Sequence, residues 1–243
     1  MKYLLRPKQC QAEQNVLAGF FANVPILLGG KTWTGKTTVT KRLLKNANRT
    51  QVYTAYVPGR FTKAYGNVYL AFAAALGLPL NSHFVSFRNV ENALEDLIGG
   101  REFRLVFDDA SVHFGGGAEQ KNNSIDLVGA LLQRFPNLKI LAVSEPNILD
   151  GDLKKVVAKE ARYVDIGLWQ DDQQFRTFIS RVGEVCGFKR SQLLNDDFIK
   201  GLLVRSHGAS GALIQIIQTL ARNSSYKACP SLPVQCLRNT WNF

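Results

Sequence analysis

The chain has 243 residues, of which 46% are hydrophobic and 10% aromatic, with a mean hydropathy of −0.08. That composition excludes a mostly disordered protein, and no apolar run reaches the ~18 residues of a membrane span, so one sizeable core with a smaller second unit is expected. The formal charge of +11 favours a polyanionic partner such as nucleic acid; a basic surface that only aids solubility is the alternative.

In chain order, Gln9 to Ala22 is helix-compatible and Val24 to Gly29 is a short apolar run of strand length. A helix starts near Lys36. Residues 51–57 alternate as a strand before the break at Pro58-Gly59, and the alanine-rich Val68 to Leu76 is a helix. Then come a helix around Val90 to Ile98, a strand from Phe103 to Phe107, a helix from Ile125 to Arg134 and a strand from Lys139 to Val143. Strands separated by helical crossovers predict an α/β fold with a parallel sheet covered on both faces. After Trp169 only helical spacing remains, over Asp171 to Cys186, Asn195 to Ser206 and Ser210 to Asn223. The expected organisation is a nucleotide-binding domain over residues 1–167, a helical lid over 168–225 and a tail over 226–243 that is either loosely ordered or packed on the body.

The four cysteines, Cys10, Cys186, Cys229 and Cys236, have neither CxxC spacing nor an accompanying histidine pattern, so no zinc knuckle or disulfide framework is indicated. The three-residue apolar stretch at the N-terminus is too short for a secretory signal, and a cytoplasmic location without membrane contact is expected.

Gly30, Lys31, Thr32, Trp33, Thr34, Gly35, Lys36 and Thr37 match GxxxxGK[ST] between a predicted strand and a predicted helix, which is the context this phosphate-binding loop requires. Glycines let successive N–H groups turn towards phosphate oxygens, and the following helix adds the positive end of its dipole. With Thr38, these residues form the expected nucleotide cradle. Lys36 should reach the β and γ phosphates, Thr37 should offer its hydroxyl to Mg²⁺, and Trp33 at the apex should stack or fill space. A carboxylate at the end of a neighbouring strand is also needed. Phe103 to Asp109 provides two, with Asp108 on the magnesium side and Asp109 as the candidate for activating water. Aspartate is a methylene shorter than glutamate, and a water misplaced by about 1 Å can cost on the order of 100-fold in rate, so slow hydrolysis is expected. At the end of the next strand Ser144, Glu145 and Asn147 could each sense a γ-phosphate or serve as a turn residue.

Together, Gly30 to Thr37, the Asp108-Asp109 pair, the Ser144 strand end and the trailing helices resemble an AAA+ ATPase. More narrowly, the chain resembles the TniB/TnsC family of transposition ATPases, relatives of the Mu B protein, over about residues 5–223. The narrower likeness rests on Ala161 to Trp169 followed by Asp171, Asp172 and Phe175, and on Ser206-His-Gly208-Ala-Ser-Gly211-Ala-Leu213-Ile214. Two positions depart from that pattern: Ala212 stands where an arginine touching nucleotide is common, and Asp109 where glutamate is usual.

The resemblance implies an ATP- and Mg²⁺-dependent ATPase that assembles into a ring or helical filament on double-stranded DNA and marks a target for a transposase, with target-selection proteins as further partners. It also implies an arginine donated across a subunit boundary. Lys154, Lys155, Lys159 and Arg162 are the candidates, with Arg162 preferred. Independently, Pro58-Gly-Arg60-Phe61-Thr62-Lys63-Ala-Tyr65 interleaves cations with aromatics and reads as a DNA-facing loop. The family pattern makes Arg60, Thr62 and Lys63 ligands of the DNA backbone, with Arg88 a weaker addition. A small-molecule kinase and a nucleotide-gated scaffold with little hydrolysis are the competing readings. His113, near the second acid, is read as structural, and no NKxD-like guanine reader is present, which favours ATP.

Overall fold

The computed structural model describes residues 7–49, 52–78, 87–98, 101–114, 117–146, 161–189 and 193–224. The described chain divides into two compact units, one built chiefly from Lys8–Gly30 and Lys36–Ile166, the other chiefly from Lys31–Gly35 and residues 167–224.

In the first unit, α1 (Pro7–Phe21) opens with proline, whose missing N–H costs nothing in a first turn, and buries Ala12, Val16 and Phe20 at four-residue spacing. Strand β1 (Ile26–Gly29) leads into α2 (Lys36–Arg49), and β2 (Tyr53–Pro58) into α3 (Gly59–Tyr65), α4 (Val68–Ala75) and α5 (Phe87–Ile98). Strand β3 (Phe103–Asp108), α6 (Ala110–Phe114), α7 (Ala118–Arg134), β4 (Leu138–Val143) and β5 (Arg162–Asp165) complete it. All pairings are parallel, in the order β2-β3-β4-β1-β5. This is the parallel sheet of the P-loop α/β class that the alternation of elements predicts.

Each strand feeds two cores because successive side chains point to opposite faces. Leu27, Phe103, Leu105, Phe107, Ile140 and Ala142 pack on one face with α4, α5 and α7 residues such as Phe72, Leu94 and Leu131. Ile26, Leu28, Val106, Leu141 and Val143 pack on the other with Val16 of α1 and Val39 and Leu43 of α2. Buried on both sides, these strands read as the near-continuous apolar runs that the sequence displays.

Several elements differ from the sequence-based expectation. The segment expected as a DNA-facing loop is helix α3, ended by Gly66 at φ 63°, whose N–H donates to the Thr62 carbonyl at 2.8 Å. Helix α6 and strand β5 carry no periodicity of their own, being five and four residues long. Helix α7 begins at Ala118, seven residues before the expected Ile125, because its first two turns are almost wholly polar and show no apolar stripe.

In the second unit, α8 (Gln173–Val185), α9 (Asp196–Ser206) and α10 (Ser210–Ser224) enclose a core of Trp169, Phe175, Ile179, Leu193, Leu202, Leu213 and Ile217. Asp172 caps α8 by accepting the Phe175 N–H at 2.7 Å, and Asn195 caps α9 by accepting those of Asp197 and Phe198. No described helix is long and apolar enough to cross a membrane.

Candidate functional site

Strand register lines up the chemistry. One row across the sheet contains Pro58, Asp108, Val143, Leu28 and Val164. One residue further along each strand come Gly59, Asp109, Ser144, Gly29 and Asp165, so three of the five carboxyl ends present an acid or a hydroxyl. In open α/β sheets this edge is where ligands bind.

The loop after β1 has the backbone expected of a phosphate cradle. Gly30 and Gly35 lie at φ 156° and 104°, and Trp33, exposed at the apex, is left-handed at φ 69°. Thr34 is buried, and both its hydroxyl and its N–H donate to the Lys31 carbonyl, at 2.8 and 3.3 Å, closing the loop as a tight turn. Lys31, Thr32 and Thr37 are exposed, and Thr38 is half-buried. The Lys36 ammonium donates to the Gly30 carbonyl, folding back along its own loop. Burial pulls this ammonium below its usual value, while Glu145, Asp108, Asp109 and Asp165 pull it back up. Thus four acids from the ends of β3, β4 and β5 face one lysine electrostatically. Asp165 was not anticipated as a site residue; its only signal is its position as the last residue of a short strand.

Asp108 is held by two donors: the Tyr56 hydroxyl at 2.6 Å and the Asp109 N–H at 3.1 Å. Burial, then donation to Asp108, keeps the Tyr56 phenol far above its usual value and protonated. Tyr56 escaped the sequence reading, although strand parity puts it with Val106 and Asp108 on the α2 face of the sheet. Asp109 is exposed and left-handed at φ 58°, and accepts the Ser111 hydroxyl at 2.8 Å. A Cβ on Gly59 would come within 2.9 Å of the Asp109 Cβ, so this glycine is required by close approach.

Ser144 is buried, and its Oγ is the one buried side-chain oxygen or nitrogen among the described residues without a hydrogen-bond partner, although its N–H donates to the Leu28 carbonyl at 3.1 Å. A buried hydroxyl left unsatisfied beside the cradle strand suits a site that receives a ligand oxygen. Positive-φ glycines, a lysine surrounded by acids and this orphaned hydroxyl together fit a nucleotide polyphosphate. No group of three metal-ligating side chains occurs among the described residues. Magnesium sites commonly use one or two protein oxygens and take the rest from phosphate and water, which the Thr37 hydroxyl and Asp108 are suited to.

Asn147, Lys154, Lys155 and Lys159 lie outside the described residues, as do the 79–86 segment and the tail. Arg162 is exposed at the amino end of β5, three residues before Asp165 and so roughly 10 Å from the acid-bearing edge. It is not part of its own chain's acid cluster. Arg60, Lys63 and Arg88 are exposed, with the Arg60 guanidinium 5.7 Å from the centre of the Phe61 ring. Thr62 is corrected: it is buried, 1% exposed, and its hydroxyl donates to His113 Nδ1 at 2.6 Å, so it is no DNA backbone ligand. His113 is fully buried. Its Nε2 lies 3.1 Å from both the Val57 and the Asp108 carbonyls, which assigns the proton to Nε2 and leaves Nδ1 to accept from Thr62. Burial lowers its basicity below the ordinary histidine value, consistent with a neutral structural ring.

Within the second unit, the Gly211 N–H donates to the Trp33 carbonyl at 2.7 Å, and a Cβ at Gly211 would sit 3.0 Å from Trp33. Trp169 Nε1 donates to Ser210 at 2.8 Å, and its N–H to the Gly208 carbonyl at 2.9 Å. The 206–214 motif is therefore a packing motif: its two glycines meet the backbone of Trp169 and of Trp33.

No family model matches the chain, and no curated protein matches it. Solved structures do. A Walker-type ATPase of Pyrococcus abyssi superposes with a TM-score of 0.59 at 18% identity, covering 88% of this chain and 67% of that one. The Orc1 protein of Aeropyrum pernix, solved in complex with DNA, gives 0.60 at 14%, covering 97% and 64%. The replication initiator DnaA, bound to AMPPCP and single-stranded DNA, gives 0.57 at 16%, covering 93% and 64%. The chain thus spans about two thirds of the length of the structures it matches. The fold is that of the AAA+ P-loop ATPases.

Proposed function

We propose that the protein is an ATP-dependent, DNA-binding AAA+ ATPase that assembles on duplex DNA and regulates target choice by a transposase. The observation that carries the ATPase reading is the convergence of Glu145, Asp108, Asp109 and Asp165 on Lys36 at the end of the cradle strand. The DNA reading is supported by exposed Arg60 and Lys63 on α3, by the +11 charge, and by the DNA complexes named for the Orc1 and DnaA structures. The transposition role rests on the resemblance to the TniB/TnsC family alone; the division into domains over 1–167 and 168–225 with a tail rests on the change from alternating strands and helices to purely helical spacing after Trp169.

Bound ATP and Mg²⁺ would supply the phosphoanhydride and the Lewis acid. Lys36 exchanges its Gly30 carbonyl for phosphate oxygens. Thr37 and Asp108 would hold the metal, with the Tyr56 hydroxyl bond fixing the Asp108 carboxylate in one orientation. Ser144 offers its unused hydroxyl to the γ-phosphate. Asp109 accepts the proton of the attacking water. One Asp109 oxygen is engaged by Ser111, which favours slow turnover and is the observation behind the second reading, a nucleotide-gated scaffold.

The test is the double variant Arg60→Ala/Lys63→Ala, followed by fluorescence anisotropy on two duplexes of unrelated sequence, at several salt concentrations, with an ATP analogue. Affinity should fall by similar factors on both, and the slope of log affinity against log salt should flatten by about 0.9 per phosphate contact removed. Binding that ignores ATP and both substitutions defeats the assignment.

A further inference from the structure

Helix α3 is joined to the acid-bearing corner by more than the chain itself. Gly59, its first residue, lies so close to Asp109 that a Cβ would stand 2.9 Å from the Asp109 Cβ and 3.1 Å from Oδ2. One turn later, the buried Thr62 hydroxyl donates to His113 Nδ1 at 2.6 Å, and the same ring donates through Nε2 to the carbonyls of Val57 and Asp108. His113 therefore joins three elements through one rigid plane: α3, the end of β2 and the end of β3. The ring also packs edge-on against Phe107 with centroids 5.4 Å apart, so it cannot tilt without disturbing the strand that holds Asp108. On the outer side of the same seven-residue helix stand exposed Arg60 and Lys63. Both cations lie within one helical turn of Thr62.

We propose that the Thr62–His113 hydrogen bond is the coupling through which duplex DNA on α3 sets ATP turnover, with His113 a positioning residue for the Asp108–Asp109 corner. This rests on the proposed ATPase and DNA reading and adds the path between its two parts. Asp109 supplies the responsive element: its left-handed backbone, at φ 58°, is a sparsely populated conformation, and Gly59 packs against it while the Ser111 hydroxyl bonds its side chain. A shift of α3 changes what Gly59 and the His113 plane impose on the turn.

The experiment compares steady-state ATP turnover with and without duplex DNA in the full chain carrying Thr62→Val or Thr62→Ser, alongside DNA affinity by anisotropy. Valine keeps the branched shape and removes the donor; serine keeps the donor. In the valine variant, the ratio of DNA-stimulated to basal turnover should fall at least fivefold while DNA affinity stays within twofold; the serine variant should retain the wild-type ratio. A loss equal in both variants indicates packing and overturns the coupling. So does unchanged stimulation in the valine variant, or a wild type that binds duplex without stimulation. A wild type that binds no duplex at low salt overturns the DNA reading, and the coupling with it. Should the valine variant not fold, nitrogen NMR of the wild type decides: with three histidines in the chain, the His113 Nδ1 resonance can be assigned. It should move on addition of duplex, and a resonance that stays in place overturns the proposal.

Discussion

A lysine that donates to a carbonyl of its own loop can exchange that acceptor for a phosphate oxygen at little cost in geometry. Lys36→Ala removes a charge-assisted donor worth about 1.5–3 kcal/mol per bond, so nucleotide affinity should drop on the order of 100-fold by titration. Melting should barely change, because alanine is a good helix former at this first position of α2. Asp109→Asn should bind ATP normally and hydrolyse it more slowly in a turnover assay, since an amide cannot take the proton. His113 makes a separate statement about pH. Burial lowers its folded-state pKa below the unfolded 6.5, so the unfolded chain binds the extra proton first. Stability is fully present above pH 6.5 and is lost as pH falls below it, by up to about 1.4 kcal/mol per unit. Urea unfolding at pH 7.5 and 5.5 should show this loss in the wild type and a smaller one in His113→Gln.

Elements that form an apolar run or a sustained period were legible in the sequence, and short elements with neither were not. Strands β1, β3 and β4 are buried on both faces and announce themselves as apolar runs, whereas α3, α6 and β5 are too short for periodicity to register. The residue pattern around Gly208 and Gly211 was visible as a motif, but its reason is three-dimensional. Gly208 has φ 70°, and a Cβ there would lie 2.5 Å from the Trp169 carbonyl oxygen, which the Trp169 N–H bond to the Gly208 carbonyl holds in place. Left-handed strain of roughly 1–2 kcal/mol adds to a clash that no side-chain rotation can relieve. Gly208→Ala should therefore destabilise the helical unit by about 2 kcal/mol or more, read as faster amide exchange in α9 and α10 with α2 and α7 unaffected.

At the scale of the whole molecule, Arg162 stands at the amino end of β5, away from the acid-bearing edge of its own sheet, and on the proposed reading it completes a neighbouring copy's site. On the proposed reading, ATP promotes oligomers. Arg162→Ala should then lose hydrolysis while keeping its melting temperature and nucleotide affinity. Light scattering with a non-hydrolysable analogue and DNA checks this; a strictly monomeric profile in the wild type removes assembly from the account.

Local pattern alone was sufficient for the parallel α/β class and for the glycine-rich turn between β1 and α2, because such a turn is defined by contiguous residues and alternation by neighbours two to four apart. The surroundings of the acids were decided elsewhere. Tyr56 reaches Asp108 across 52 positions and Thr62 reaches His113 across 51, contacts that exist only once strand order and register put β2 beside β3. The same register turned a threonine that reads as a surface DNA ligand into a buried hydrogen-bond donor. A one-residue slip would have sent Tyr56 and Asp108 to opposite faces, and no local signal in their segments distinguishes the two outcomes.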